Sequence, residues 1–594
     1  VQTRRVNVTC KTMTEKKQRE LKSLERDGCP ASKPLKLSYY HGVCREPLSP
    51  KTIAQVLLKA SKERPDHVGY RTSEFDENMS IGELQKRADQ VSKALLNLGV
   101  KKGDLVFLTG LADIEYYVLF FAVTQIGLVF HFPEILLPFE KDFRDKIKVD
   151  PIAIFAGSLA PAEVGTLAAE YARSGTNPVK AVVAVKNASL QCQDVITYEN
   201  FVDLSRNITD EALQTAKGQV SNQDIAVIFN TSGTTGQQKR ICMTHFTLVN
   251  FAKFTHLRGC PFKQKENLGV LGPVADDVSG LLQNIRPIYN YDDDICLIMA
   301  PSSVNTDNQS AKEFMEFVEK ERITWYLGMP FELINTVNSP DFDKYDLSTL
   351  RGAILVGHLI SSALKTRMLE VFPDMQTAYG STEAVAGTAT SAVWSTKEQQ
   401  ISSAGFSFPH AEVKIVDSNG AIVPIGSEGE IFLKGWHTFW GYWRDPEMTR
   451  QVKDPDGWVK IGDIGKMDET GHITYVGRAA ECVKFKHMGV SVYPSHILNA
   501  AKAHPEIAEA KVIGVPTDTI GDMLCLCVQL TPSSTLTEDQ LKDYMDDQLL
   551  DVYRTDNCFI FQELPRTGFR NKVSMSKLRE LVIQRLNREA EHNQ

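Results

Sequence analysis

At 594 residues the chain is longer than one hydrophobic core usually serves, so at least two domains are expected. Its 42% apolar and 24% charged residues are those of an ordinary globular protein, and a formal net charge of −8 without a long basic run argues against a nucleic-acid partner. Eleven cysteines lie scattered without metal-ligand spacing, which fits a reducing, intracellular compartment and thiols used as small packing groups.

Residues 1–35 are polar and irregular, opening on the basic, acid-free VQTRRVNVTCKTM, which reads either as the remnant of a mitochondrial presequence or as a solvated tail. Helix and strand signals then alternate. Ser80-Ile-Gly-Glu83 has capping-box spacing, Leu84, Ala88, Val91, Leu95 and Leu98 follow at helical intervals, and Gly99 supplies the stop. The longest charge-free run, Tyr116 to Pro133, contains Thr124, Gln125, Gly127 and His131. It is expected to be a buried helix turning into a buried strand, and no transmembrane segment is expected.

Lys180-Ala-Val-Val-Ala-Val and Asp224-Ile-Ala-Val-Ile-Phe read as buried strands, so the alternation predicts an α/β fold with mainly parallel sheets over residues 36–477. Past Gly477 come a basic loop, a proline, a helix pattern and an apolar run in which Cys525 and Cys527 alternate and face one way. A charged terminal helix completes residues 478–594, enough for a small α+β domain of its own.

The richest stretch in chemistry is Phe229-Asn-Thr-Ser-Gly-Thr-Thr-Gly-Gln-Gln-Lys239, directly after a predicted strand. Gly233 and Gly236 let the backbone approach a ligand closely. Thr231, Ser232, Thr234 and Thr235 crowd hydroxyls into one turn, and Lys239 adds a full charge. Such a loop suits a polyphosphate, although the spacing is GxxGxxK and not that of a Walker loop; by itself it also fits a hydroxyl-rich surface turn.

TSGTTGQQKR resembles TSGTTGxPK, the signature of the adenylate-forming superfamily of acyl-CoA synthetases, luciferases and peptide-synthetase adenylation domains. His245 falls where that family usually has a His. Other landmarks follow in family order: Tyr379-Gly-Ser-Thr-Glu383, Gly429-Glu-Ile, Gly441-Tyr442 with Thr449, Gly457-Trp-Val-Lys-Ile-Gly-Asp463, Gly477-Arg478, and Pro565 through Lys572 to Leu578-Arg579. The opening Ser38-Tyr-Tyr-His-Gly42 resembles medium-chain fatty acyl-CoA ligases. The resemblance covers roughly residues 38 to 580. It implies a large N-terminal AMP-binding domain and a small mobile C-terminal lid. It also implies two half-reactions: a carboxylate, here a fatty acid, attacks the α-phosphate of ATP to give acyl-AMP and pyrophosphate, and the thiol of coenzyme A then takes the acyl group.

Residue by residue, the resemblance makes Glu383 the Mg²⁺ ligand, a role that suits a carboxylate beside phosphate oxygens. Thr382 would donate to the α-phosphate and Tyr379 would stack on adenine, with Gly357 and Gly380 allowing close approach. Asp463 would accept both ribose hydroxyls, Arg478 would reach the ribose or phosphate, and Lys572 would offset charge on the α-phosphate in the first transition state. The same resemblance implies that Lys484, Lys486 and Gly489 lie in the loop that meets coenzyme A and that Glu481 sits at the family's hinge position.

Several positions depart from the family pattern: Gln238 for Pro, Ile461 for a hydroxyl residue, Ala480 for Lys, and Asp276 where a His or aromatic residue gates the acyl tunnel. An acidic group there is unfavourable beside an apolar chain unless it is paired. These departures leave two alternatives to an acid–CoA ligase: a pseudo-ligase that only binds nucleotide or acyl groups, and an adenylating enzyme with another acyl acceptor. The subfamily resemblance implies a mitochondrial address, while the composition fits a cytoplasmic one equally.

Overall fold

The computed structural model describes residues 33–110, 113–132, 147–157, 160, 163–174, 178–186, 194–231, 239–259, 266–270, 281–289, 294–301, 303–304, 311–328, 330–356, 360, 362–385, 389–391, 395–479, 483–485, 490–492, 494–517, 521–532, 534–549, 554–567 and 572–592.

Local sequence and observed elements agree where the apolar pattern is long. The helix Ile81–Asn97 begins at Ser80, whose Oγ accepts from the Glu83 N–H at 3.2 Å, and it buries Leu84, Ala88, Val91 and Leu95. The Glu83 carboxylate lies toward Arg87, 3.9 Å away, so the cap is carried by Ser80. Gly99 ends the turn at φ +66°, a conformation that costs glycine little. The charge-free run becomes the helix Glu115–Gln125, buried on all sides, and the buried strand Val129–His131. Among the described residues no helix is long and apolar enough to cross a membrane.

Two eight-stranded sheets, counted over the described residues, build the large domain. In the first, Ile225–Thr231, Val129–His131, Leu105–Thr109, Ala153–Ala156, Ala181–Ala184 and Ile196–Thr197 run parallel, and the antiparallel Lys239–Thr244 and the short Gly441–Tyr442 extend one edge. In the second, Gln376–Tyr379, Gly352–Leu355, Trp325–Gly328, Glu266–Val270, Ile295–Met299 and Val68–Thr72 are parallel, with antiparallel strands at both edges. Parallel sheets need cover on both faces, which is why their strands read as unbroken apolar runs such as Ile295–Met299. A third, five-stranded antiparallel sheet ends in Val459–Met467 and Ile473–Arg478.

The small C-terminal domain is α+β. The long hairpin Ile507–Thr517 with Gly521–Leu530 gains Asn557–Phe561 as a parallel neighbour. Alternate residues of the second hairpin strand face opposite ways. Leu524, Leu526 and Val528 pack with Ile497, Ala501, Leu541 and Met545, whereas Cys525 and Cys527 pack with Phe559, Leu578 and Val582 of the other layer. Both cysteines thus share one face, as their spacing requires. Burial pushes the Cys525 thiol up to about 12 and raises Cys527 as well, so both are inert packing groups.

Candidate active site

Ligands of open α/β sheets bind beyond the carboxyl ends of the parallel strands. Two of the predicted groups lie there: Thr231 ends one parallel strand, and Tyr379 ends another in the second sheet. Lys239 pairs with Thr231 across the first antiparallel ladder. Ser232, Gly233, Thr234, Thr235, Gly236, Gly357, Lys486 and Gly489 fall outside the described residues, as do Gln238, Asp276, Ala480 and Glu481. Thr231, Lys484 and Lys572 are described by their backbone alone.

Tyr379, Asp463 and Arg478 come together. Asp463 and Arg478 face each other in the register of the two strands that close the five-stranded sheet, and Arg478 Nε lies 2.9 Å from Asp463 Oδ1. The Tyr379 hydroxyl donates to Asp463 Oδ2 at 2.5 Å. Asp463 is 1% exposed, so its charge is held by these two groups. Burial and the neighbouring Asp463 push the Tyr379 hydroxyl well above its ordinary range, which keeps it a donor. Burial works against the Arg478 charge, but Asp463 together with Tyr475, Tyr379 and Glu383 outweighs it and the guanidinium is raised. Gly462 precedes the carboxylate at φ +73°, a turn of the strand that a side chain would strain. The Tyr379 ring also meets Tyr475, with centroids 5.4 Å apart.

Glu383 anchors the other half. It lies in the single turn Thr382–Ala384, which ends in Val385 at φ +51°, ψ +42°. A β-branched residue there stores about 1–3 kcal/mol of strain, a feature that concentrates at functional sites. The Val385 side chain is fully buried, which holds the turn in place. The Glu383 carbonyl accepts from the Phe439 N–H at 2.9 Å, and its carboxylate Oε1 accepts from the Tyr442 hydroxyl at 3.0 Å. Tyr442 also lies 5.4 Å beneath Lys239 Nζ, a cation–π distance.

Beside Tyr379, the strand residues Gln376 and Ala378 open onto a slot of about 30 Å³ whose other walls include Phe251, Leu327, Ile354, Val356 and Phe408. Its lining is mainly apolar, and at this volume it admits only a water- or methyl-sized group.

The description "AMP-binding enzyme" matches residues 57–443, and "AMP-binding enzyme C-terminal domain" matches residues 497–569. The chain belongs to the AMP-binding enzyme family. It is 26% identical over 582 residues to the mitochondrial medium-chain acyl-CoA ligase ACSF2 of Danio rerio, covering 94% of this chain and 93% of that one. It is also 26% identical to the putative acyl-CoA synthetase YngI of Bacillus subtilis, covering 90% of this chain and 98% of that one. Among solved structures, the anthranilate CoA ligase AuaEII in complex with anthranoyl-AMP matches with a TM-score of 0.75 at 22% identity, over 90% of this chain and 98% of that one. The adenylate-forming resemblance and the fold it implied are borne out.

In this AMP-binding enzyme the residues that sequence reasoning left without a role are those that hold the expected ones. Tyr442 was legible only as half of a Gly-Tyr landmark, and at Gly441 beside it a Cβ would crowd the Thr449 side chain, with Cγ2 at 3.0 Å. Ile461 packs into the main core, and its carbonyl accepts from Arg478 at 2.8 Å, so the backbone of this departing position still orients the guanidinium. His245 is not at the cluster's strand ends. It sits at the opposite end of its strand and opens the helix His245–Gly259, where Nδ1 accepts from the Ile53 N–H at 3.4 Å.

Proposed function

We propose that the protein is an AMP-forming acid–thiol ligase that activates a medium-length or shorter fatty acid as its acyl-AMP and passes it to coenzyme A. The observation that carries this reading is the convergence of Asp463 and Arg478 on Tyr379, which ends a strand whose residues Gln376 and Ala378 line a small apolar slot. The carboxylate supplies acceptors for ribose hydroxyls, since each of its oxygens has a second lone pair beyond the contact described. Tyr379 and Tyr475 offer ring faces for a base. Arg478 brings a fixed positive charge to an anionic nucleotide, and the apolar lining beside Tyr379 marks where an acyl chain would approach, the slot itself having to widen to admit it.

Glu383 fits a Mg²⁺ ion by its chemistry: a hard oxygen ligand, partly exposed, with Oε1 held by Tyr442 and Oε2 accepting no hydrogen bond among the described residues. Mg²⁺ commonly takes one or two carboxylates and completes its shell with phosphate and water oxygens. Bound there, it would neutralise phosphate charge. The work of the chain itself is alignment. A carboxylate nucleophile must approach a polyanion in line, so Lys239, Arg478, Thr382 and the lysine at 572 serve by lowering repulsion and fixing orientation. We place the domain boundary near residue 477, with the C-terminal domain supplying Lys572 to the first step and the Lys484–Gly489 loop to the second. The medium-chain specificity and mitochondrial address of the Danio rerio relative support the same assignments here.

The test is pyrophosphate release from MgATP with short, medium and branched acids, each with and without coenzyme A. Acid-dependent release that falls about a hundredfold in Lys572→Ala and in Glu383→Gln is expected, with a thioester formed only when coenzyme A is present. Undetectable MgATP binding would overturn the ligase reading; acyl-AMP formed without any thioester would move the acceptor away from coenzyme A.

A further inference from the structure

The segment Phe439–Trp443 ties the strand Lys239–Thr244 to the turn that carries Glu383. Trp440 N–H donates to the Cys242 carbonyl at 2.9 Å and Trp443 N–H to the Arg240 carbonyl at 2.8 Å, while Tyr442 pairs with Ile241. The segment is therefore laced to the strand that begins at Lys239. On its other side, Phe439 N–H holds the Glu383 carbonyl and the Tyr442 hydroxyl holds the Glu383 carboxylate. Tyr442 is itself fixed from behind. Its N–H donates to Thr449 Oγ1 at 2.9 Å, and its ring meets the Phe439 ring edge-on with centroids 5.0 Å apart. Thr449 is in turn fixed by donating to the Asp445 carbonyl at 2.8 Å.

We propose that Tyr442 is the positioning residue of the metal-binding carboxylate: its hydroxyl occupies Glu383 Oε1 and so directs Oε2 toward the divalent ion that accompanies ATP, in register with Lys239. The inference rests on the reading of Glu383 as the ion's ligand. The chemistry suits the task because a phenol is rigid, and toward a carboxylate it serves only as donor. A freely rotating carboxylate would have to be ordered at each binding event, and fixing it in advance removes that cost. A purely structural role would lie in the ring and the backbone N–H, which Tyr442→Phe retains.

The experiment measures Mn²⁺ binding in the presence of ATP by electron paramagnetic resonance, using the full chain as wild type, Glu383→Gln and Tyr442→Phe, with ATP binding in EDTA and a thermal melt for each. Tyr442→Phe is expected to weaken Mn²⁺ three- to tenfold. ATP affinity in EDTA and the melting temperature should stay at wild-type values. In turnover it should raise the Mg²⁺ concentration needed for half-maximal pyrophosphate release by a similar factor, with kcat recovering at saturating Mg²⁺ and the KM for acid unchanged. Glu383→Gln should lose Mn²⁺ more severely and not recover. If Tyr442→Phe binds Mn²⁺ as wild type does while Glu383→Gln does not, the positioning role is overturned and the ligase reading stands. If Glu383→Gln retains wild-type Mn²⁺ affinity, Glu383 is not the ligand and both assignments fall. A Tyr442→Phe protein that loses ATP binding in EDTA or melts early would show a structural role instead, which also overturns the proposal.

Discussion

Asp463 concentrates the demands on single residues. It is buried, takes a hydrogen bond from Tyr379 and faces Arg478, so replacing it by Asn removes a charge that two donors are built around. Asp463→Asn should weaken nucleotide binding at least about tenfold, the 1.4 kcal/mol expected of one hydrogen bond to a charged group, as titration calorimetry would show. Away from the site, buried titratable groups set the pH response of stability. Burial lowers His245 and His437 from 6.5 to about 4. Because the unfolded chain takes up these protons first, their stabilisation is full above pH 6.5 and is lost as pH falls toward 4. Each should cost about 2 kcal/mol by pH 5, and His437→Gln should remove about half of that slope in denaturant unfolding. Glu332 has the opposite sign. Burial raises it from 4.5 to about 8, so stability is lost as pH rises from 4.5 to 8, and Glu332→Gln should gain about 3 kcal/mol at pH 7. The same scale shows what a motif can reveal. Glu383, Asp463 and Arg478 were legible because each sits inside a local pattern. Which group would hold which was not: Tyr442 reaches Glu383 across 59 positions, and Tyr379, itself part of a local pattern, reaches Asp463 across 84. Nothing local in the chain encodes such a meeting.

Helix ends and short strands decide how these side chains are held. The helix Lys397–Ser402 ends on a buried ammonium: Lys365 Nζ donates to the carbonyls of Gln400, Ile401 and Ser403 at 3.2–3.3 Å. Burial lowers that lysine to about 8. Lys365→Met would leave those carbonyls without their donor and should cost about 1–3 kcal/mol in urea unfolding, without altering nucleotide affinity. Elements with a full apolar period, such as Ile81–Asn97 and Ile225–Thr231, were readable from the chain. Strands of two residues were not. Gly441–Tyr442 and Ala389–Thr390 carry no period at all, and they become strands only because a neighbouring edge offers hydrogen bonds.

On the scale of the molecule, the two domains have separate interiors. Among the described residues, the two core clusters of the C-terminal domain draw only on positions between Ile497 and Leu586. Cooperativity follows shared burial, so calorimetry should resolve at least two heat-absorption transitions, and a domain spanning about residues 478–594 should melt independently of the large one. A single coincident transition by every probe would show instead that the domains are thermodynamically coupled.

The sequence by itself determined the α/β character, the buried nature of the run from Tyr116 to Phe132 and the adenylate-forming family, because apolar period and contiguous motifs are properties of neighbours along the chain. The tertiary structure alone decided which hydroxyl holds which carboxylate, that Ile461 serves through its carbonyl, and that His245 lies at the wrong end of its strand to join the cluster. The reason is geometric. Parallel strands bring distant residues to one sheet edge, and only their register fixes which side chains meet there.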